Sequence, residues 1–327
     1  MDRDLAIAAP LNPAPATAAW QQPQRVTLFL AWLVAVAALA AAHDPWRDEV
    51  RALSLATSGT TIADMAAAVH GEGHPLLWYA LLRLGHALLG VTALPATALL
   101  VGGTSGALLV FRSPFEPVAL AVLLLSRFML FEYSVMARNY GLAMLLLFVI
   151  AAAYPRLREA GWTMGALLAL LANGSVHAAA LALAFALFWA LDLVADRGWH
   201  ASRAIVLRGG LVLTIGLLAC ALTVFPTVND AATQPFQLDA SNLRRFVLLQ
   251  GFDFAWPSPW PRLLLAGAIV GLARSPPAAI ALASASLLLS GLFAFVYPGY
   301  YRHSALIIVF AVALYWIVLE RERRAHS

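Results

Sequence analysis

The chain has 327 residues, of which 62% are hydrophobic and 12% are charged, with a formal net charge of +4. In soluble domains roughly a quarter of the residues are charged. The composition therefore excludes an ordinary soluble protein and predicts an all-α, polytopic membrane protein. The basic excess consists of arginine alone and is assigned to membrane-flanking loops, so nucleic acid is not expected as a partner. The single Cys220 lies in an apolar run, which excludes an intrachain disulfide.

Ten apolar runs are predicted to cross the membrane, because a spanning helix needs about 20 mostly apolar residues. The first run follows a Pro- and Ala-rich tail that lacks a cleavage site in the right context, so it is interpreted as a retained helix and not as a signal peptide. The predicted spans cover residues 25–42, 92–111, 117–137, 140–155, 161–176, 177–195, 206–225, 260–274, 276–297 and 303–319.

A further apolar run, residues 75–90, contains Arg83 and His86 and is compatible with either a span or an interfacial helix. If it does not cross and the N-terminus is cytoplasmic, twelve arginines fall inside and eight fall outside. If it crosses, every later loop changes side and the Arg-rich loops move outside. The positive-inside rule therefore predicts cytoplasmic tails at 1–24 and 321–327, with residues 75–90 resting on the outer surface.

This topology places the polar segments of the sequence on one face of the membrane. They are the first extracytoplasmic loop at 43–91, the segments 132–140 and 173–177, a late extracytoplasmic loop at 226–259, and the segment 297–303. The late loop is expected to contain a short amphipathic helix capped by Asp239 or Ser241. Polar clusters from five loops at one surface indicate a composite site.

The motifs in these segments resemble a known family. A WRDE segment at 46–49 is followed about 25 residues later by HPLLWY at 74–79, which opens a helix ending at Gly90. Together with the segments 133–142, 175–177 and 301–303, these motifs resemble the GT-C polyprenyl-phosphate-sugar-dependent glycosyltransferases. The similarity is to the bacterial protein-mannosyltransferase-like and aminoarabinose-transferase-like branch. It covers residues 25 to about 320, lacks the second proline of the family's His-Pro-Pro stretch, and corresponds to a short form without a C-terminal soluble domain.

The resemblance implies that a sugar moves from a polyprenyl-phosphate donor to an acceptor of unspecified identity at the extracytoplasmic face of a bacterial inner membrane. Asp48 matches the family's first acidic position and is the candidate base for the acceptor hydroxyl. Glu49 is the second catalytic candidate, as an acceptor or metal ligand. The alternative is that this segment is a solvated helix start, with Asp48 near the N-terminus and Glu49 facing Arg47 or Arg51.

The donor phosphate is expected to bind Arg138, Tyr140, Arg302 and His303, since a guanidinium fork matches phosphate and stays charged near a membrane. The alternative is that these residues snorkel to the headgroups. His74, His177 and Glu132 lie in the polar segments and are supporting candidates. A cofactor is not specified; a divalent cation would be held by Asp48, Glu49 and His74.

Arg127 lies in the middle of the predicted span 117–137, where a charge needs a partner or a hydrated groove. Glu132 and Glu116 are the candidate partners, whereas Asp192 is expected at the membrane interface. Two other functions remain open: a lipid or oligosaccharide transporter, and a non-catalytic GT-C-like membrane subunit. No internal repeat or pair of broken helices is visible in the sequence, which disfavours the transporter.

Overall fold

The structure is a computed structural model that describes residues 16–225, 238–253 and 259–325. Every regular element in these ranges is helical, which confirms the predicted all-α class. Six helical stretches are long and apolar enough to cross a membrane. Part of the late loop 226–259, namely residues 226–237 and 254–258, lies outside the described residues.

In the described residues, the first half of the chain contains seven α-helices. A 3-10 turn (Gly90–Thr92) separates the fourth from the fifth, and a π-helical turn (Phe128–Glu132) precedes the seventh. The helices are α1 (Ala16–Ala41), α2 (Arg47–Ala56), α3 (Ile62–Val69), α4 (Leu76–Leu89), α5 (Ala93–Arg112), α6 (Pro117–Leu124) and α7 (Asn139–Leu157).

The described part of the second half contains seven more, with a 3-10 turn (Gln250–Phe252) after the tenth. They are α8 (Gly161–Ala172), α9 (Val176–Val224), α10 (Ala240–Val247), α11 (Trp260–Gly271), α12 (Pro276–Phe295), α13 (Tyr301–Ser304) and α14 (Leu306–Ala325). Asp239 caps α10 as predicted, because its side chain accepts the amide proton of Asn242 at 2.7 Å.

Two of the long helical stretches are hairpins. A straight helix would separate Trp189 from Gly209 by about 30 Å, yet a Cβ placed on Gly209 would lie 2.4 Å from the Trp189 ring. The chain turns at Gly198, whose φ of +75° interrupts α9. Similarly, α4 folds back on α5, since a Cβ on Gly85 would lie 2.7 Å from the Thr97 hydroxyl oxygen. The separate runs 177–195 and 206–225 are therefore the two arms of α9.

The long helices connect two ends of the molecule, which we call the site end and the far end. The far end is held by ion pairs between Arg323 and Glu116 and between Arg321 and Asp192, and by Arg25, which donates to carbonyls at the end of α5. The site end contains α2 to α4 and the segments 132–140, 173–177 and 297–303. Arg83 of α4 donates to the Ala56 carbonyl at 2.9 Å, so α4 stays at the site end.

The predicted span 117–137 is wrong as a continuous helix. α6 ends at Leu124 and gives way to a short turn and then to the π-helical turn. The break brings the Arg127 guanidinium to within 2.9 Å of Glu132, a pairing that keeps the arginine out of the middle of an apolar helix. Helices α8 and α11 have 12 residues each and are about 18 Å long, shorter than the predicted spans 161–176 and 260–274.

Candidate functional site

Asp48 lies in the first turn of α2, facing the residues that precede α7. Its carboxylate is 2.8 Å from the Arg138 guanidinium. The Asp48 side chain is 36% exposed, whereas that of Arg138 is only 11% exposed. Arg302 and Arg47 also act on the Asp48 charge. The structure thus brings together residues 48, 138 and 302, which are far apart in the sequence.

Burial disfavours the charged forms of Asp48 and Arg138, and the neighbouring groups favour them. Burial raises the pKa of Asp48, but Arg138, Arg302 and Arg47 outweigh burial and leave that pKa below its ordinary value of 3.8. Burial lowers the pKa of Arg138, but Tyr140 and Asp48 raise it by more than burial lowers it. The pKa of Arg138 is therefore above its ordinary value. The carboxylate and the guanidinium are therefore both charged at neutral pH.

Glu49 points away from Asp48 and is 1% exposed. One carboxylate oxygen accepts the backbone amide of Ala137 at 2.6 Å, and the other accepts that of Trp46 at 2.8 Å. The second oxygen also lies 2.8 Å from His43 Nε2. Glu49 consequently ties the start of α2 to the residue beside Arg138. It faces neither Arg47 nor Arg51; Arg51 pairs with Glu72.

The segment 133–138 is clamped between two helices. A Cβ on Gly102 of α5 would lie 2.6 Å from Ser134, and a Cβ on Gly141 of α7 would lie 2.4 Å from the Tyr133 carbonyl oxygen. The Asn139 side chain donates to the Gly174 carbonyl at 2.9 Å, joining the segment 173–177 to α7. Close backbone approach at the two glycines thus fixes the position of Arg138.

Beside Arg138, aromatic and imidazole rings form a packed group. The Arg138 guanidinium lies 5.8 Å from the Tyr140 ring centre, and Tyr140 meets His303 edge to face at 5.1 Å. His303 stacks on His177 at 4.7 Å. Both histidines are buried, and His74 is within electrostatic range of each. Five of the predicted site residues therefore share one cluster.

Arg302 enters the site from α13. Its guanidinium lies 5.6 Å from the Tyr300 ring centre, and its backbone carbonyl accepts the Tyr133 hydroxyl at 2.6 Å. Its Nε atom is buried and has no hydrogen-bond partner in the part of the chain that the structure describes. Tyr133 and Tyr300 received no role from the sequence, although both lie inside the segments that it singled out.

Glu132 is engaged elsewhere. It pairs with Arg127, whose guanidinium lies 5.0 Å from the Tyr301 ring centre. This pair supports the residue before Arg302 and makes no ion pair with Asp48. Of the two partners predicted for Arg127, Glu132 is the one observed, and Glu116 pairs instead with Arg323. Within residues 16–225, 238–253 and 259–325, no group of three His, Cys, Asp or Glu residues is arranged to hold a metal ion.

Two cavities adjoin α13. An apolar groove of about 470 Å³ runs between α11 and α14 and is lined by Leu264, Leu265 and Ile308. A polar cavity of about 170 Å³ lies between α10, the following 3-10 turn and the end of α12. Tyr301 lines both cavities, so the two meet at the residue that precedes Arg302.

The Glu49→Gln protein should be less stable than the parent. An amide has only one acceptor oxygen, so at least one of the amide protons of Trp46 and Ala137 would face a donor. An unmet buried donor costs about 1–3 kcal/mol. Denaturant unfolding of the purified protein measures this loss. The matched control is Glu72→Gln, which removes an exposed pair and should cost less than about 1 kcal/mol; equal losses would contradict the bridging role of Glu49.

Comparison of the chain with protein-family models, with curated proteins and with solved structures found no match. The resemblance to the GT-C enzymes rests on the sequence motifs alone.

Proposed function

We propose that this protein is a membrane glycosyltransferase that moves a sugar from a polyprenyl-phosphate donor to an acceptor at the extracytoplasmic face. The single observation that carries the proposal is the placement of Asp48 beside Arg138 and within electrostatic range of Arg302. One carboxylate and two guanidinium groups meet the two charge requirements of the reaction.

The reaction divides between these groups. Asp48 orients the acceptor hydroxyl and takes its proton as the acceptor oxygen bonds to the anomeric carbon of the donor sugar. The bond between that carbon and the phosphate oxygen breaks, and the electron pair leaves with the polyprenyl phosphate. Arg138 and Arg302 hold the phosphate as it leaves, and Tyr140 and His303 support them. Because the pKa of Asp48 is lowered, its carboxylate is ionised at neutral pH but is a weak base. A weak base suits a reaction in which the proton is transferred late.

The groove between α11 and α14 supports a lipid-linked donor. Its lining is apolar, and it reaches Tyr301, the residue before Arg302. A polyprenyl chain seated there would bring its phosphate toward Arg302, since the charged headgroup must leave the apolar lining. This arrangement supports donor entry from the bilayer.

The separation of the two ends supports the proposed topology. The ten segments that we assign to this direction are α1, the segment from α6 to Glu132, α5, α7, α8, both arms of α9, α11, α12 and α14. We take these segments as ten passes through a bacterial inner membrane and the far end, with its arginines 25, 158, 321 and 323, as cytoplasmic. The short helix α8 packs among neighbouring helices, whereas the short helix α11 presents Leu263, Leu264 and Val270 to the surroundings.

The test is sugar release by the purified protein in nanodiscs supplied with radiolabelled polyprenyl-phosphate hexoses and pentoses. The parent should transfer or hydrolyse one donor, and Arg302→Ala should reduce the rate by about 10- to 100-fold through loss of a charged phosphate contact. Arg274→Ala, an exposed change in the turn between α11 and α12, is the matched control. Lipid movement across liposomes without any sugar release would replace this proposal with a transporter, and inactivity toward every donor would favour a non-catalytic subunit.

A further inference from the structure

The polar cavity beside α13 lies next to the proposed donor site without sharing its charged residues. Arg245, Gln250 and Asp253 line one side, and Phe293, Tyr300 and Ser304 line the other. Tyr300 connects the two regions, because its ring faces the Arg302 guanidinium at 5.6 Å. A ligand in the cavity would therefore lie one side chain away from Arg302.

The walls of this cavity are fixed by close packing. Phe293 is held between two glycines, since a Cβ on Gly251 or Gly299 would lie 2.4 or 2.5 Å from it. The Ser290 hydroxyl donates to the Phe246 carbonyl at 2.9 Å and so attaches α10 to α12. The two glycines leave the Phe293 ring in contact with both walls, and any larger residue there would have to displace it.

The lining combines hydrogen-bond donors with acceptors. Asp253 is held by an ion pair of 3.0 Å with Arg262, whereas the Arg245 guanidinium makes no ion pair with any described residue. The carboxylate of Asp253 disfavours a bare anion, and Arg245 disfavours a cation. The Gln250 amide and the rings of Phe293 and Tyr300 add polar and apolar surface. This mixture matches a neutral, hydroxyl-rich ring that presents both hydroxyl groups and C–H faces.

The size of the cavity agrees with this chemistry. Its volume of about 170 Å³ corresponds to roughly six water molecules at about 30 Å³ each. That volume is sufficient for one sugar ring.

We propose that the polar cavity binds the acceptor and that the acceptor is a carbohydrate, with one ring seated between Arg245 and Phe293. This inference rests on the proposed glycosyltransferase function, in which it supplies the acceptor class.

The experiment measures binding of methyl glucopyranoside, galactopyranoside and mannopyranoside to the purified full-length protein by saturation-transfer-difference NMR. The parent should bind at least one of them, and Arg245→Ala should weaken that binding by about tenfold. Arg244→Ala is the matched control, because Arg244 is the adjacent arginine of α10 but is exposed and does not line the cavity. In transfer assays, Arg245→Ala should raise KM for a saccharide acceptor, whereas Arg244→Ala should not.

The outcomes separate this inference from the function on which it rests. Absence of pyranoside binding, an equal loss in Arg244→Ala, or binding of inorganic phosphate in place of the pyranosides would overturn the carbohydrate site. Donor hydrolysis by the parent without pyranoside binding would retain the glycosyltransferase and reject the cavity. Pyranoside binding that depends on Arg245, without use of any donor, would retain the cavity and reject the glycosyltransferase.

Discussion

The Asp48→Asn protein should fold normally, and its sugar-transfer rate should fall by about 10²- to 10⁴-fold. This is the range expected when a general base is removed. Asparagine keeps the size of the side chain and one oxygen that accepts from Arg138. Because Asp48 is 36% exposed and Arg138 retains the Tyr140 ring beside it, the cost in stability should be small. Sugar transfer from a polyprenyl-phosphate donor and thermal unfolding, both measured on the purified variant, check the two parts.

Asp44→Asn is the matched control for this substitution. Asp44 lies in the same loop, is exposed, and makes no ion pair with a described residue, so its replacement should leave the rate unchanged. Full transfer by Asp48→Asn would reject Asp48 as the base, and an equal loss in Asp44→Asn would point to general effects of loop charge.

The pH profile gives a second measurement of the same role. A carboxyl group whose pKa is lowered stays ionised as pH falls and becomes protonated only below its ordinary value of 3.8. Activity that depends on ionised Asp48 should therefore persist across mildly acidic pH and decline only as pH falls through the lowered pKa. In Arg138→Ala, burial would no longer be offset by the guanidinium, so the acidic decline should move to higher pH. An unmoved decline would assign it to another group.

The class of the fold could be predicted from composition, because a chain with few charges and many apolar runs must satisfy its backbone hydrogen bonds inside helices. The position of α4 on the outer surface stays a prediction from arginine counting. The break at Leu124 was missed because an apolar run carries no signal for a π-helical turn. The break accompanies an ion pair between Arg127 and Glu132. The sequence could not identify this pair, because Glu116 was an equally good candidate partner for Arg127.

The site was harder to predict at the level of single residues. Asp48 was the candidate base and Glu49 the candidate acceptor or metal ligand, but adjacent residues of a helix do not face the same side. Glu49 instead reaches Ala137, 88 positions away. Which backbone amide a carboxylate meets depends on tertiary packing, and no local pattern encodes it. The same holds for the pairing of Asp48 with Arg138, which requires α2 and the segment before α7 to be adjacent.

Asp192, at the far end, is another residue whose contacts depend on tertiary packing. The sequence placed it at the membrane interface, yet its side chain is 2% exposed. It accepts the Tyr154 hydroxyl at 2.7 Å and the Arg321 guanidinium at 2.6 Å, and Arg158 lies 3.6 Å away. The carboxylate thereby joins α7, the first arm of α9 and α14.

Asp192→Ala should destabilise the protein by about 3 kcal/mol, the lower end of the range for a buried ion pair that loses one partner. The Tyr154 hydroxyl would lose its acceptor, but Arg321 is half-exposed and Arg158 keeps a pair of 2.9 Å with Asp196, which limits the cost. Denaturant unfolding gives the loss in stability. Asp196→Ala removes an exposed carboxylate from the same cluster and should cost less than about 1 kcal/mol. If the two variants unfold alike, burial of Asp192 does not decide the stability of the far end. If Asp192→Ala changes the KM for the donor while its stability is unchanged, the two ends are functionally coupled through α14.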